Sequence, residues 1–577
     1  MSVYYYLDPE RVSGQNEQTG FYTSLYLEEM LSRLGIAAVR SDPELLRTRL
    51  PGAHDILLIG NESLTGKARE PIDDAAGNGC LVIGFGTLGL DDLFGVRDAG
   101  CIGQEDPFDR TAFFNAGSDI LPAFEAGPEL PVLSPVRTVE ADPETVHGTL
   151  SADGRTCPGL IRTGSAVYFP FDLPDTLIKI VQGHPVPEGP SHYFPVGRVP
   201  DSRGLPVDTP SELPVADLFL LILEKLFYER GIPSLHTLPV CGDGSPADLL
   251  FYFGGDDDAT SGELDETASR IMAERGLPYH INLMPTTREG GFALSKEGYD
   301  RIRARGHELA LHYDLTGGLS LFTKDGFDNQ IDSFVNAYGT LPVCNVGHCL
   351  TQTGYAEYAR YQSARGILGD NSRCGYLDPV DINAFNLFNY SFGTAFPHFV
   401  YDDAGHGGRR LPFCGLPITY YEPRLGGTYG DSDAKLNRCV RLAAYYGQTI
   451  NLFSHPHYIA GYGGYDSSMT LRAFDRILEI CREQGLSVRL TGVDELCLWW
   501  HARSRVSLWQ GTAPGEWTVR LEDNDPVVIR IPEPKEGLTL LLDGEVVPGT
   551  ARTVSGLPYR LLPVRGKGEH VLTIGRT

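Results

Sequence analysis

Positive charge is scarce in this chain. Its 48 Lys and Arg face 75 Asp and Glu, a formal net charge of −27, which disfavours nucleic acid and anionic membrane as partners, since both are held by clustered basic side chains. No apolar run is long enough to span a bilayer. The opening MSVYYYLDPERVSGQ lacks a basic segment followed by an apolar core, so no signal peptide is read there and a cytoplasmic protein is expected. The 11 cysteines are odd in number and scattered, with no CxxC pair, and so read as reduced, mostly buried thiols rather than a disulfide framework. Neither an internal repeat nor a low-complexity segment is visible. What the chain does have is length: 577 residues are too many for one core, and about two to four domains are expected.

One stretch stands out. Leu249 to Thr260 reads LLFYFGGDDDAT, an apolar run closed by two glycines and followed by three consecutive aspartates. The apolar part reads as a buried strand, and the glycines allow a tight turn and close approach to a ligand. Adjacent carboxylates repel one another, which a purely structural turn has no need of. At the carboxyl end of a buried strand they make a cation site, with one carboxylate left as a base. The bland alternative is an acidic turn capping the next helix.

Before this stretch, strand and helix alternate. Tyr4–Leu7 begins as a strand, Gly20–Leu34 has helical spacing closed by Gly35, and Asp55–Gly60 and Cys80–Phe85 are continuous apolar runs. That pattern predicts a parallel, flavodoxin-like α/β domain covered on both faces. It resembles the class I glutamine-amidotransferase-like fold in strand order and glycine placement. Active members of that family need a cysteine at a sharp strand-to-helix turn. Here the turn after Gly60 offers Asn61, Glu62 and Ser63, and the one after Phe85 offers Gly86 and Thr87, so this domain, placed at 1–235, is expected to be non-catalytic. A long loop is expected through Gly183–Pro210, and an apolar helix over Val215–Glu229.

From 236 to 503 the alternation resumes as helix, strand and helix, in the order a (β/α) barrel requires. Glu308-Leu-Ala-Leu-His-Tyr is a strand carrying His312, and Thr449-Ile-Asn-Leu-Phe-Ser-His455 ends in the cluster His455-Pro-His457. Beyond Ser504 short alternating runs such as Val527–Ile531 and His570–Ile574 predict a small antiparallel β-sandwich over 504–577.

With aspartates at 256–258, His312 and His455 each at a strand end, residues 248–503 resemble the polysaccharide deacetylase (NodB-homology, carbohydrate esterase family 4-like) family. Gly276-Leu-Pro-Tyr279 matches its turn after the first helix, Gly306-His-Glu-Leu-Ala-Leu-His312 its second motif, and Leu452-Phe-Ser-His455 its last. The resemblance implies a (β/α) barrel and a metal-dependent hydrolase that removes acetyl groups from an N- or O-acetylated sugar or polysaccharide. It implies one divalent ion, zinc first, with cobalt, nickel or manganese in its place. His312 falls on the first metal histidine and His455 on the general acid. Counting back from Gly276 by that family's usual spacing, with one residue inserted, the resemblance puts the base at Asp257 and the metal carboxylate at Asp258. A second inserted residue would make them Asp256 and Asp257.

There are departures. The second metal histidine should stand at 316, where the residue is Thr316, and the arginine-containing third motif is replaced by Asn345-Val-Gly-His-Cys349. His348 could supply the missing nitrogen, or Asp314 an oxygen. Tyr313, beside His312, is a candidate for lining a substrate groove, whereas Trp499 and Trp500 read as last-helix packing. Two other functions stay open: a carbohydrate-binding protein with a degenerate deacetylase domain, and a phosphatase of the haloacid-dehalogenase type, suggested by Asp256-x-Asp258-x-Thr260. The oligomeric state is not legible.

Overall fold

The computed structural model describes residues 2–14, 21–125, 127–186, 205, 211–258, 260–287, 290–314, 323–352, 354–374, 387–390, 392–427, 430–511, 513, 515–533 and 537–576. Thr316 and most of the expected loop through Pro210 lie outside these residues.

The N-terminal part is built on a nine-stranded sheet. Five strands run parallel in the order Ala38–Ser41, Val3–Tyr6, Ile56–Ile59, Leu81–Phe85 and Ala166–Phe169. Four more extend the sheet in antiparallel fashion, from Arg155–Arg162 to Leu130–Val132. Ile56–Ile59 and Leu81–Phe85 are apolar or Gly at every position because both faces are covered, and every residue in them is buried. At the turn after Gly60, buried Glu62 accepts from Tyr22 Oη at 2.5 Å, Ser24 Oγ at 2.7 Å and Arg11 at 2.9 Å.

The central part is an 11-stranded sheet around Leu249–Asp256, which is buried along its whole length. This strand pairs in parallel with Thr449–Phe453 on one side. On the other, Val488–Gly492 covers its first half and His280–Leu283 its last residues. Glu308–Tyr313, Cys344–Gly347, Gly369–Cys374 and Arg410–Ile418 follow in parallel. The sheet then curls. After the single residue Thr419 the chain continues as Tyr420–Tyr421, which pairs with Thr449–Phe453, and Thr419 Oγ1 accepts from the Asn451 N–H at 2.8 Å. Gly255 lies against the end of the neighbouring strand: a Cβ there would stand 1.9 Å from Ser454 O, so no other residue fits.

Two antiparallel sheets close the chain. One takes its edge from Ser234–Leu235, at the boundary expected between the first two parts, paired to Val527–Pro532. The three parts are riveted by buried guanidiniums. Arg503 donates to the carbonyls of Ser32, Arg33, Leu235 and His236, and Arg530 to Leu34 O and Glu224. No helix among the described residues is long and apolar enough to cross a membrane.

Candidate functional site

Parallel strands in a curled sheet deliver the residues after their carboxyl ends to one rim. Asp256 closes Leu249–Asp256, His312 lies one residue before the end of Glu308–Tyr313, and His348 follows Cys344–Gly347. Glu422 follows Tyr420–Tyr421, and His455 comes two residues after Phe453.

These side chains meet. His312 Nε2 lies 3.5 Å from both Asp256 Oδ2 and Asp258 Oδ1. His348 Nε2 is 3.9 Å from Asp258 Oδ1, and its Nδ1 is 3.0 Å from Asp314 Oδ1. On the other flank His455 Nε2 is 3.4 Å from Asp258 Oδ2, while its Nδ1 contacts Glu422 Oε1 at 2.5 Å. Glu422 is fixed in turn by Ser454 Oγ at 2.7 Å and the His455 N–H at 3.0 Å. Asp258 has a left-handed backbone, φ 49°, a conformation that aspartate tolerates better than most residues.

The charges follow from these contacts. Burial works against ionising Asp258, but His455, His312 and His348 outweigh it and hold the carboxyl below its ordinary range. Burial raises Asp256, with His312 and His455 pulling the other way. For His455 burial alone would favour the neutral ring, yet Asp258 and then Glu422 push it up to about 10. His348 is likewise raised, to about 11, against burial and chiefly by Asp314. The site thus joins one carboxylate disposed to share a proton, Asp256, and two imidazoles disposed to keep one, His455 and His348.

The residues also fit a metal ion. One ligand atom each from Asp258, His312 and His348 lies within 4.8 Å of the others. Buried His312 Nε2 has no hydrogen-bond partner, while its Nδ1 lies 3.1 Å from Val346 O. A backbone carbonyl at Nδ1 fixes the tautomer that leaves the Nε2 lone pair free for a cation. A set of one carboxylate and two imidazoles suits zinc and similar borderline ions.

Two of the expected residues are placed apart from this cluster. Asp257, read as the base, turns the other way: its Oδ1 accepts from the Met284 N–H at 2.7 Å. The flanking Asp256 and Asp258 are the ones whose carboxylates face His312. Successive residues of an extended chain point to opposite sides, so a count along three equal aspartates fixes the neighbourhood but not the face. Tyr313 lines no groove. It is fully buried, with Oη 3.2 Å from Asp370 Oδ2 and its ring against Phe327, because alternation puts it on the face opposite His312. The sequence reading passed over Glu422. Its available signal was the apolar run Leu416–Tyr421 ending in a carboxylate. The rings packed around His455 are instead Tyr421, His457 and Tyr458, with centroids 5.9, 5.2 and 5.8 Å from its own. Trp499 and Trp500 are buried, as expected of packing residues. A cavity of about 690 Å³ opens near His307, Glu308 and Trp499, and none of Asp256, Asp258, His312, His348 or His455 lines it.

No protein-family model matches the chain, and no curated protein sequence does either. Among solved structures it is similar to one described as a polysaccharide deacetylase from Mycobacterium smegmatis. Identity there is 16%, with 47% of this chain and 96% of that one covered at a TM-score of 0.30. An allantoinase is similar at 14% identity, covering 46% of this chain and 98% of its own, TM-score 0.29. A family 4 carbohydrate esterase from Bacillus subtilis follows at 10%, 48% and 89%, TM-score 0.25.

Proposed function

We propose that this protein is a metal-dependent hydrolase that removes acetyl groups from an acetylated sugar or polysaccharide. The observation that carries the reading is the opposition of two groups across Asp258: Asp256 by His312 on one side, and His455 braced by Glu422 on the other. Hydrolysis of an amide or ester needs a base to take a proton from water and an acid to give one to the leaving group. A carboxylate and an imidazolium set apart by their surroundings supply both.

Asp258, His312 and His348 would hold the ion. When bound, it supplies Lewis-acid polarisation of a carbonyl oxygen. Asp256 Oδ2 takes the proton of the attacking water. His455 Nε2 delivers its proton to the departing amine or alcohol, and Glu422 keeps Nδ1 occupied so that Nε2 is the donating atom. Asn282 Nδ2, 3.0 Å from Asp256 Oδ1, leaves Oδ2 as the basic oxygen. Water adds across the acyl bond, giving acetate and the free amine or alcohol. The histidine contacts of Asp256 and Asp258 weigh against the phosphatase alternative. The sugar class rests on the motif resemblance, and the partly buried Tyr421 and Tyr458 stand beside His455. The parts at 1–235 and 504–577 are read as accessory, Glu62 rather than a cysteine standing at the first turn.

The test is acetate release from N-acetylated and O-acetylated sugars by the zinc-loaded full chain. Activity lost in Asp256→Asn but kept in Asp257→Asn supports the assignment. The reverse pattern, or no release from any acetylated sugar, sinks it.

A further inference from the structure

Away from the carboxyl-end rim, three thiols and an imidazole come together in the core. Cys344, Gly369 and Cys414 are paired in one row across three adjacent strands, and residues in such a row share a face. Gly369 leaves a gap between the two thiols. A Cβ built there would stand 2.8 Å from Cys497 Sγ and 3.0 Å from Cys344 Sγ, so the helix Val493–Ser504 lowers its Cys497 thiol into that gap. One helical turn later the same helix brings His501, whose Nε2 is 3.6 Å from Cys414 Sγ. One ligand atom each from Cys414, Cys497 and His501 lies within 4.8 Å of the others. All three cysteines are buried.

We propose that Cys414, Cys497 and His501, completed by Cys344, form a structural site for a thiophilic metal ion such as zinc, separate from the site at Asp258. Zinc takes sulfur at about 2.3 Å and nitrogen at about 2.0 Å in a closed tetrahedron when it serves structure. Such a sphere draws its ligand atoms to within about 4 Å of one another; Cys414, Cys497 and His501 already lie within 4.8 Å, and Cys344 would turn towards them across the gap at Gly369. His501 Nε2 also lies 3.0 Å from Leu368 O. That carbonyl already accepts from the Cys414 N–H at 2.8 Å, so turning Nε2 to a metal strands no buried acceptor. The ion would join two strands to a helix more than 80 residues further along the chain, the kind of long closure that a metal clip stabilises most.

Cobalt tests this independently of catalysis, because thiolate ligation gives near-ultraviolet charge-transfer absorption that carboxylate and imidazole ligands do not. The full-length protein is stripped by chelation and reloaded with Co²⁺. Wild type should show the band. It should persist in the double variant Asp258→Ala/His312→Ala and in Cys349→Ser, whose thiol adjoins His348 at 3.4 Å, and vanish in Cys414→Ser and Cys497→Ser. Absence of the band in wild type, or its persistence in both of the last two variants, overturns the proposal. Where a cysteine variant does not fold, X-ray absorption of the zinc-loaded wild type decides: sulfur neighbours support the site, and an all nitrogen-and-oxygen shell refutes it.

Discussion

Glu422→Gln separates the charge of the His455 partner from its shape. Glu422 contacts His455 Nδ1 at 2.5 Å and accepts from the His455 N–H at 3.0 Å and Ser454 Oγ at 2.7 Å. Glutamine can offer an oxygen to His455 in the same place, so ring orientation and tautomer should persist. Only the negative charge goes. A carboxylate in contact raises an imidazole by about 1–3 pK units, and His455 starts at about 10 in the metal-free protein. The sign is fixed: removing the anion destabilises the imidazolium, so the pKa falls. For a fall of about two units, the protonated fraction at pH 9 drops from about nine-tenths to about one-tenth, while at pH 7 it falls only from nearly all to about nine-tenths. The direct assay is a histidine NMR titration of the chelated protein, wild type against Glu422→Gln. In the zinc-loaded enzyme the descending limb of the pH–rate profile should move to lower pH with the metal content unchanged. Superimposable titration curves would refute the pairing of charge and acid strength argued here.

Three further outcomes are expected. His455→Ala should slow acetate release by about 10²–10⁴-fold, the usual worth of a general acid, with zinc content equal to wild type by elemental analysis. Lost metal would move His455 into the ligand set. His312→Ala should lose the ion at the rim, because it removes a buried nitrogen that faces Asp256 and Asp258 and makes no hydrogen bond; equilibrium dialysis with Zn²⁺ against a Cys497→Ser background measures that site alone, and unchanged binding counts against it. His236, whose burial holds it at about 3, stays neutral in the folded chain while the unfolded chain takes up a proton below pH ~6.5. Stability present above that pH should therefore be lost towards pH 3, by up to about 1.4 kcal/mol per pH unit. Urea midpoints at pH 7 and 5 should differ less in His236→Gln than in wild type, and an equal difference would remove His236 from the account.

Much of the scaffold could be read along the chain. The helix Val215–Glu229 is found at the limits expected of it, and the strand Glu308–Tyr313 likewise. Both depend on local periodicity and on glycine stops, which act over a few residues. Gly-His-Glu before the strand and an apolar run before Ser-His marked His312 and His455, and both reach the same rim because parallel strands end together. His348 also reaches it, although its own surroundings in sequence gave only an ambiguous substitute for a missing ligand.

What the chain order could not decide is which way equal side chains face and who meets them from afar. Three adjacent aspartates are chemically alike until the pairing of Asp256 with Asn282 sets the pleat, sending one carboxylate to His312 and the next to the Met284 N–H. Tyr313 faces away from His312 for the same reason, since a one-residue step reverses the face. Glu422 became the partner of His455 only when the sheet curled back through Thr419 to pair Tyr420–Tyr421 with Thr449–Phe453. The thiols at 344, 414 and 497 are likewise remote in sequence and adjacent only through strand register and the docking of the last helix. Periodicity and stop residues are written in each short segment, whereas register and curl are properties of pairs of segments and arise only when the whole sheet closes its hydrogen bonds.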